Sequence, residues 1–207
     1  MKKQLIIFDM DGTLINSGNV ITNTINYVRS NLNLEKIPKE IMLKQLNNPD
    51  INAAEFFYGT SEFTPSQTEL FTQYYDENCV KDISLYDGIY DLLTFLKEKN
   101  YILSVATNAS SSFAIKMIKA LDIYKFFSYI IGADMVEYPK PKADMLIKTL
   151  EELNISVSDS LLIGDSLKDT RAAKSINMEV ILVNWGFTKY ENEISNIIDL
   201  KNKLIRE

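Results

Sequence analysis

A chain of 207 residues, 46% hydrophobic and 24% charged, has the size and balance of one globular unit with room for a modest insertion. Its formal net charge of −6 argues against a nucleic-acid partner, which would need a basic surface. It has no histidine and one cysteine, Cys79, which excludes histidine-based triads, phosphohistidine chemistry, histidine-ligated metals and an internal disulfide. Cys79 also lacks an arginine six positions on, where Leu85 stands, so it reads as a packing residue and not as a cysteine nucleophile. Acid–base work must then fall to carboxylates, lysine or tyrosine.

The chain begins MKKQLIIFDMDGT. The apolar run from Leu5 to Phe8 is stopped by Asp9 and Asp11 and lacks the length and cleavage site of an export signal. It predicts a buried strand of a cytoplasmic protein, and no apolar run is long enough to cross a membrane. From about 16 to 84 the periodicity is helical, with no strand. Val20, Ile21, Thr24, Ile25 and Val28 make one amphipathic face. Thr64, Pro65 and Gln67 open a capping box ahead of Leu70, Phe71, Tyr74 and Tyr75.

Beyond residue 84 short apolar runs alternate with helical stripes. Ile89, Leu92, Leu93 and Leu96 come after Asp87 as N-cap. Strands are predicted at Ile102 to Ala106, Tyr129 to Ile131, Leu161 to Ile163 and Val180 to Val183. Met145, Leu146, Thr149, Leu150 and Leu153 give one further stripe, and Ile194, Ile197, Ile198 and Leu204 a terminal one. Continuous apolar strands joined by helices predict an α/β fold, a doubly wound parallel sheet of Rossmann-like type. The expected division is a core of 1–15 and 85–207, with a helical cap, 16–84, inserted after the first strand.

Chemistry-bearing residues collect where these strands end. Asp9-Met10-Asp11-Gly12-Thr13 leaves the first strand. Burying an unpaired carboxylate is costly, so packing does not account for it. Two carboxylates at i and i+2 can divide attack on phosphorus from proton transfer, and Gly12 lets the backbone turn away. Thr107-Asn108 ends the second core strand with a hydroxyl and an amide side chain. Lys140 and Lys142 precede a helix, and Gly164-Asp165-Ser166-Leu167-Lys168-Asp169 comes directly after a strand. Taken singly, each of these is as readily a cap, a turn or a solvated charge.

Together they resemble the haloacid dehalogenase superfamily. FDMDGTL matches its DxDG[TV][LI] signature, Thr107 its second motif, PKPKAD its K-P-x-P-D pattern with Ala143 in place of a proline, and GDSLKD its G-D-S-x-x-D. The order is the family's, from Leu5 to about Phe187. The resemblance implies a phosphatase with Asp9 as nucleophile, Asp11 as acid and base, and Thr107, Asn108 and Lys140 (over its rival Lys142) on the phosphate. It also implies Mg2+ at Asp9, the Asp11 carbonyl and Asp165, with Asp169 ligating through water or bracing its neighbours. Asp11 separates this reading from the carbon–halogen enzymes of the superfamily, which have no leaving alkoxide to protonate.

LYDGIYDLLTFLKEKNY and VILVNWGF resemble segments of phosphoglycolate phosphatases, which makes phosphoglycolate the leading substrate expectation. Sugar-phosphate mutases are the nearest alternative, although they carry a cap histidine absent here. A phosphoaspartate receiver or an idle phosphate-binding scaffold would be the non-enzyme alternatives. Asn19, Asn23, Asn47, Asn48 and Thr60 are polar positions in the helical segment to which the sequence assigns no site. A small phosphate ester is the expected partner, with neither membrane nor nucleic acid, for a monomer or homodimer.

Overall fold

The computed structural model describes residues 3–190 and 193–206. Its centre is a five-stranded sheet in which β1 (Leu5–Phe8) lies between β4 (Ile102–Thr107) and β6 (Ser160–Gly164), with β5 (Tyr129–Gly132) and β7 (Glu179–Leu182) at the edges. Every pairing in it is parallel. The register sets Phe8 beside Val105 and Ile163, so the loops leaving these three strands emerge at one edge of the sheet.

Side chains alternate across the pleat and both faces are covered. Ile6, Phe8, Val105 and Ile163 pack toward α5 (Ile89–Glu98), α6 (Ser111–Ala120) and α9 (Ile197–Arg206). Leu5, Ile7, Ala106 and Leu162 pack toward α7 (Asp144–Leu153) and α8 (Leu167–Ser175). Each fully buried leucine or isoleucine here contributes roughly 1.5–3 kcal/mol of transfer free energy. Phe8→Ala would open a void directly beneath Asp9 at about 3–5 kcal/mol.

Two short strands, β2 (Ile15–Asn16) and β3 (Ser84–Leu85), pair antiparallel. Between them run α1 (Gly18–Asn31), α2 (Lys39–Leu46), α3 (Ala53–Tyr58) and α4 (Pro65–Asn78). The predicted face of α1 is buried at Val20, Thr24, Ile25 and Val28. At the start of α4 the Thr64–Gln67 capping box makes both of its hydrogen bonds. Ile25, Val28, Met42, Phe57 and Tyr58 form a cluster of their own, whereas Val20, Tyr75 and Cys79 join the cluster on the first face of the sheet.

Several expectations are corrected. Asp87 does not cap α5: Gly88 does, at φ +80°, a left-handed backbone open to glycine, and it makes no side-chain cap. The terminal stripe is also misplaced. Ile194 bridges to Val183 ahead of α9, Ile198 is 72% exposed, and Leu200 and Leu204 carry the burial. The segment expected to hold no strand begins and ends in the β2–β3 ribbon, too short at two residues a side to show a period. No described helix is long and apolar enough to cross a membrane.

Candidate active site

Asp9 lies just past β1, its amide donating to the Ile163 carbonyl at 2.8 Å. The chain then turns tightly, with Leu14 and Ile15 both donating to the Met10 carbonyl at 2.9 Å. Gly12 sits at φ +83°, where a Cβ would lie 2.3 Å from Asp165 Oδ2. Only glycine lets this turn approach the end of β6. Asp165 itself lies just past β6, and Ser166 caps α8 through a reciprocal box with Asp169. Thr107 closes β4, and Lys140 stands in the loop before α7.

These side chains converge. Lys140 Nζ lies 2.6 Å from Asp9 Oδ1 and 2.6 Å from Asp169 Oδ1, with all three residues buried. The second oxygen of Asp169 accepts from the Ser166 amide at 3.2 Å and the Ser166 hydroxyl at 2.5 Å. Both oxygens of Asp169 are therefore committed within the protein. Asp165 Oδ2 accepts from the Phe187 amide at 2.8 Å and from Asn47 Nδ2 at 2.9 Å, while Oδ1 is buried with no partner. Asp11 accepts from the Ser17 hydroxyl. Thr107 Oγ1 accepts from the Ala109 amide at 3.1 Å, and Asn108 Nδ2 donates to the Lys140 carbonyl at 2.7 Å. Lys142, the rival lysine, is exposed.

The electrostatics are lopsided: four carboxyl groups face one buried ammonium, that of Lys140. Burial pushes Asp9 well above the usual carboxylate range; Lys140 opposes this, and Asp169 and Asp165 add to it. Burial raises Asp11 to about 6 against the pull of Ser17 and Lys140. Asp165 rises to about 7, first by burial and then through Asp169. Burial lowers the Lys140 pKa, but Asp169 and Asp9 outweigh it and the ammonium is held charged. Carboxylate oxygens of Asp9, Asp165 and Asp169 lie within 4.8 Å of one another. An all-oxygen donor set with excess negative charge and one buried, unpartnered carboxylate oxygen fits a hard divalent cation.

The helical segment forms the opposite wall of a cavity of about 390 Å³ that reaches Asp9 and Asp11. Of the five polar positions noted in that segment, Asn47 alone reaches the carboxylates. Asn19 and Asn23 are exposed, Asn48 bonds to Gln45, and Thr60 bonds to Gln67. No local pattern marks Asn47, because its partner is 118 residues away in sequence. Ser17 and the Phe187 amide are likewise contacts that spacing does not announce. Lys168, part-buried in the first turn of α8, donates to the Leu46 carbonyl at 2.7 Å.

A parallel sheet with carboxylates from two adjacent strand ends gathered about one lysine defines an α/β enzyme core, with its ligand beyond the carboxyl edge. Residues 6–183 match the family model of haloacid dehalogenase-like hydrolases, and the chain belongs to that family. It is similar to a phosphoglycolate phosphatase of Aquifex aeolicus, 29% identical over 191 residues that span 92% of this chain and 89% of the relative. A solved structure of a predicted phosphatase from Clostridium acetobutylicum superposes with a TM-score of 0.89 at 26% identity, over 100% of both chains. A predicted phosphoglycolate phosphatase from Haemophilus somnus does so at 0.80 and 25%, over 94% of this chain and 90% of its own.

Proposed function

We propose that this chain is a Mg2+-dependent phosphatase that hydrolyses a small phosphate monoester through an aspartyl-phosphate on Asp9. In reaction class it is a phosphoric monoester hydrolase. The observation that carries the reading is the convergence of Lys140 and Asp165 on Asp9, with Asp165 Oδ1 left unpaired. The Asp9 carboxylate, Asp165 Oδ1 and the Asp11 carbonyl would hold the cation, which when bound offsets the carboxylates and the incoming phosphate charge. Asp169, with both oxygens committed, holds Lys140 in place.

The residues then divide the work. A carboxylate oxygen of Asp9 attacks phosphorus, and the bond from phosphorus to the alcohol oxygen breaks. Asp11, raised to about 6 by burial, gives its proton to the departing oxygen. As a carboxylate it then takes a proton from water, which attacks phosphorus and frees phosphate and Asp9. Lys140 screens the charge between nucleophile and phosphoryl group. Thr107 uses its hydroxyl as a donor to a phosphoryl oxygen, since its lone pair already serves Ala109. Asn108 holds the backbone carbonyl of Lys140.

Residues 16–84 act as a cap on the core of 1–15 and 85–207, joined through the β2–β3 ribbon, and exclude water on closing. The names of the relatives make phosphoglycolate the first natural ester to assay. The purified chain should turn over p-nitrophenyl phosphate with Mg2+, lose the activity in EDTA and regain it on adding Mg2+. Turnover that ignores EDTA, or none with Mg2+ present, would defeat the reading.

A further inference from the structure

Away from the carboxylates the cavity wall changes character. Ile21 of α1, Phe71 and Tyr75 of α4, and Phe113 of α6 line it, together with Leu46 and Phe187. The aromatic members are packed into one surface. Phe71 and Tyr75 stack at 5.3 Å and 21°, and Phe113 meets Tyr75 edge-on at 4.9 Å and 76°. Tyr75 directs its hydroxyl to Met117 Sδ at 3.5 Å, so its polar end is occupied outside the lining. Because these rings hold one another, the wall exists before any ligand arrives.

The three rings themselves carry no charge. Among the described residues lining the cavity, the cations are Lys140 and Lys168. Lys140 is taken by Asp9 and Asp169. Lys168 sits in the first turn of α8 and spends a donor on the Leu46 carbonyl at 2.7 Å. Phe71, Phe113 and Tyr75, whose hydroxyl is turned to Met117, offer no hydrogen bond to a carboxylate on the alcohol, so laying that charge against them is a costly burial. An apolar alcohol would gain from the same surface.

We infer that the preferred ester has an uncharged leaving alcohol with an aromatic body, seated against Phe71, Tyr75 and Phe113, and that glycolate is a poor fit. The inference rests on the phosphatase reading and narrows its substrate class.

The test is kcat/KM with Mg2+ for benzyl phosphate, glycerol 3-phosphate and phosphoglycolate, all esters of primary alcohols, so that leaving-group chemistry is comparable. Benzyl phosphate is expected to exceed phosphoglycolate by at least about tenfold, and Phe113→Ala to shrink that ratio by about tenfold. Competitive inhibition of the unaltered protein by benzylphosphonate should be stronger than by phosphonoacetate, which gives the ranking without any variant. Phosphoglycolate leading the panel, phosphonoacetate inhibiting more tightly, or Phe113→Ala lowering all three esters equally would overturn the inference and leave the phosphatase standing. Hydrolysis of none of the esters would instead bring down the phosphatase reading, and this inference with it.

Discussion

On the sheet side of the cavity, polar side chains are held by partners both local and distant in the chain. Lys140 spans Asp9 and Asp169, Ser166 braces Asp169, and Asn108 braces the loop that carries Lys140. On the helical side the lining is aliphatic and aromatic, and one amide, Asn47, crosses to Asp165. Strand ends fixed by a ladder can hold charges at hydrogen-bond distance. Helices joined through a short ribbon supply the facing wall. Asn47 links the two, because it can reach Asp165 only while the helices rest on the sheet edge.

That contrast can be broken from either side. The largest effect is expected from the sheet side: Asp9→Asn should lower kcat/KM by at least about three orders of magnitude in protein that remains folded. Asp165→Asn should lower it by about a hundredfold or more and yet stabilise the metal-free chain. The sign comes from burial. Folded Asp165 sits near 7 against an ordinary 3.8, so between these values the unfolded chain has released a proton that the folded chain retains. Stability of the metal-free protein therefore falls as pH rises from about 4 to about 7 and is level above. The variant should melt several degrees higher at about pH 8 and match the parent near pH 4. A Tm difference that does not change with pH would contradict this.

Effects from the helical side are smaller. Asn47→Leu leaves Asp165 Oδ2 with the Phe187 amide alone and should weaken Mg2+ activation by about tenfold, seen as a higher Mg2+ concentration at half-maximal rate. Unchanged Mg2+ dependence would reduce Asn47 to a packing residue. Asp50 pairs with Arg171 at 2.6 Å across the same boundary, but both are solvent-exposed. Asp50→Asn should leave kcat/KM within about twofold, since water and salt screen such pairs.

The same contrast explains what the sequence could show. Sheet and sheet-side residues were legible because a parallel strand buried on both faces reads as a continuous apolar run, and a carboxylate at its end has no packing reason to be there. Asp9 and Asp165 carry that local mark, whereas Asp11, Thr107, Lys140 and Asp169 stood out through the resemblance of their motifs to a family; the structure brings all six into one cavity region or, for Asp165 and Asp169, directly against it. α2 and α3 were not legible as elements: α2 buries Met42 alone, and α3 has six residues. Asn47 looked like any loop amide because its partner lies across a tertiary boundary. The aromatic wall was equally hidden, since Phe71 and Tyr75 belong to an ordinary helical stripe and Phe113 to another helix 38 residues beyond Tyr75. Periodicity shows which face is buried but not what it is buried against.

The central claim concerns a covalent bond, and reductive trapping reads it most directly. Protein quenched with borohydride during turnover of a phosphate ester converts an aspartyl-phosphate to homoserine, which peptide mass spectrometry locates. The account predicts homoserine at position 9, dependent on ester and Mg2+. Homoserine at another aspartate, or an unmodified Asp9 in protein whose Asp9→Asn variant still turns over ester, would contradict it.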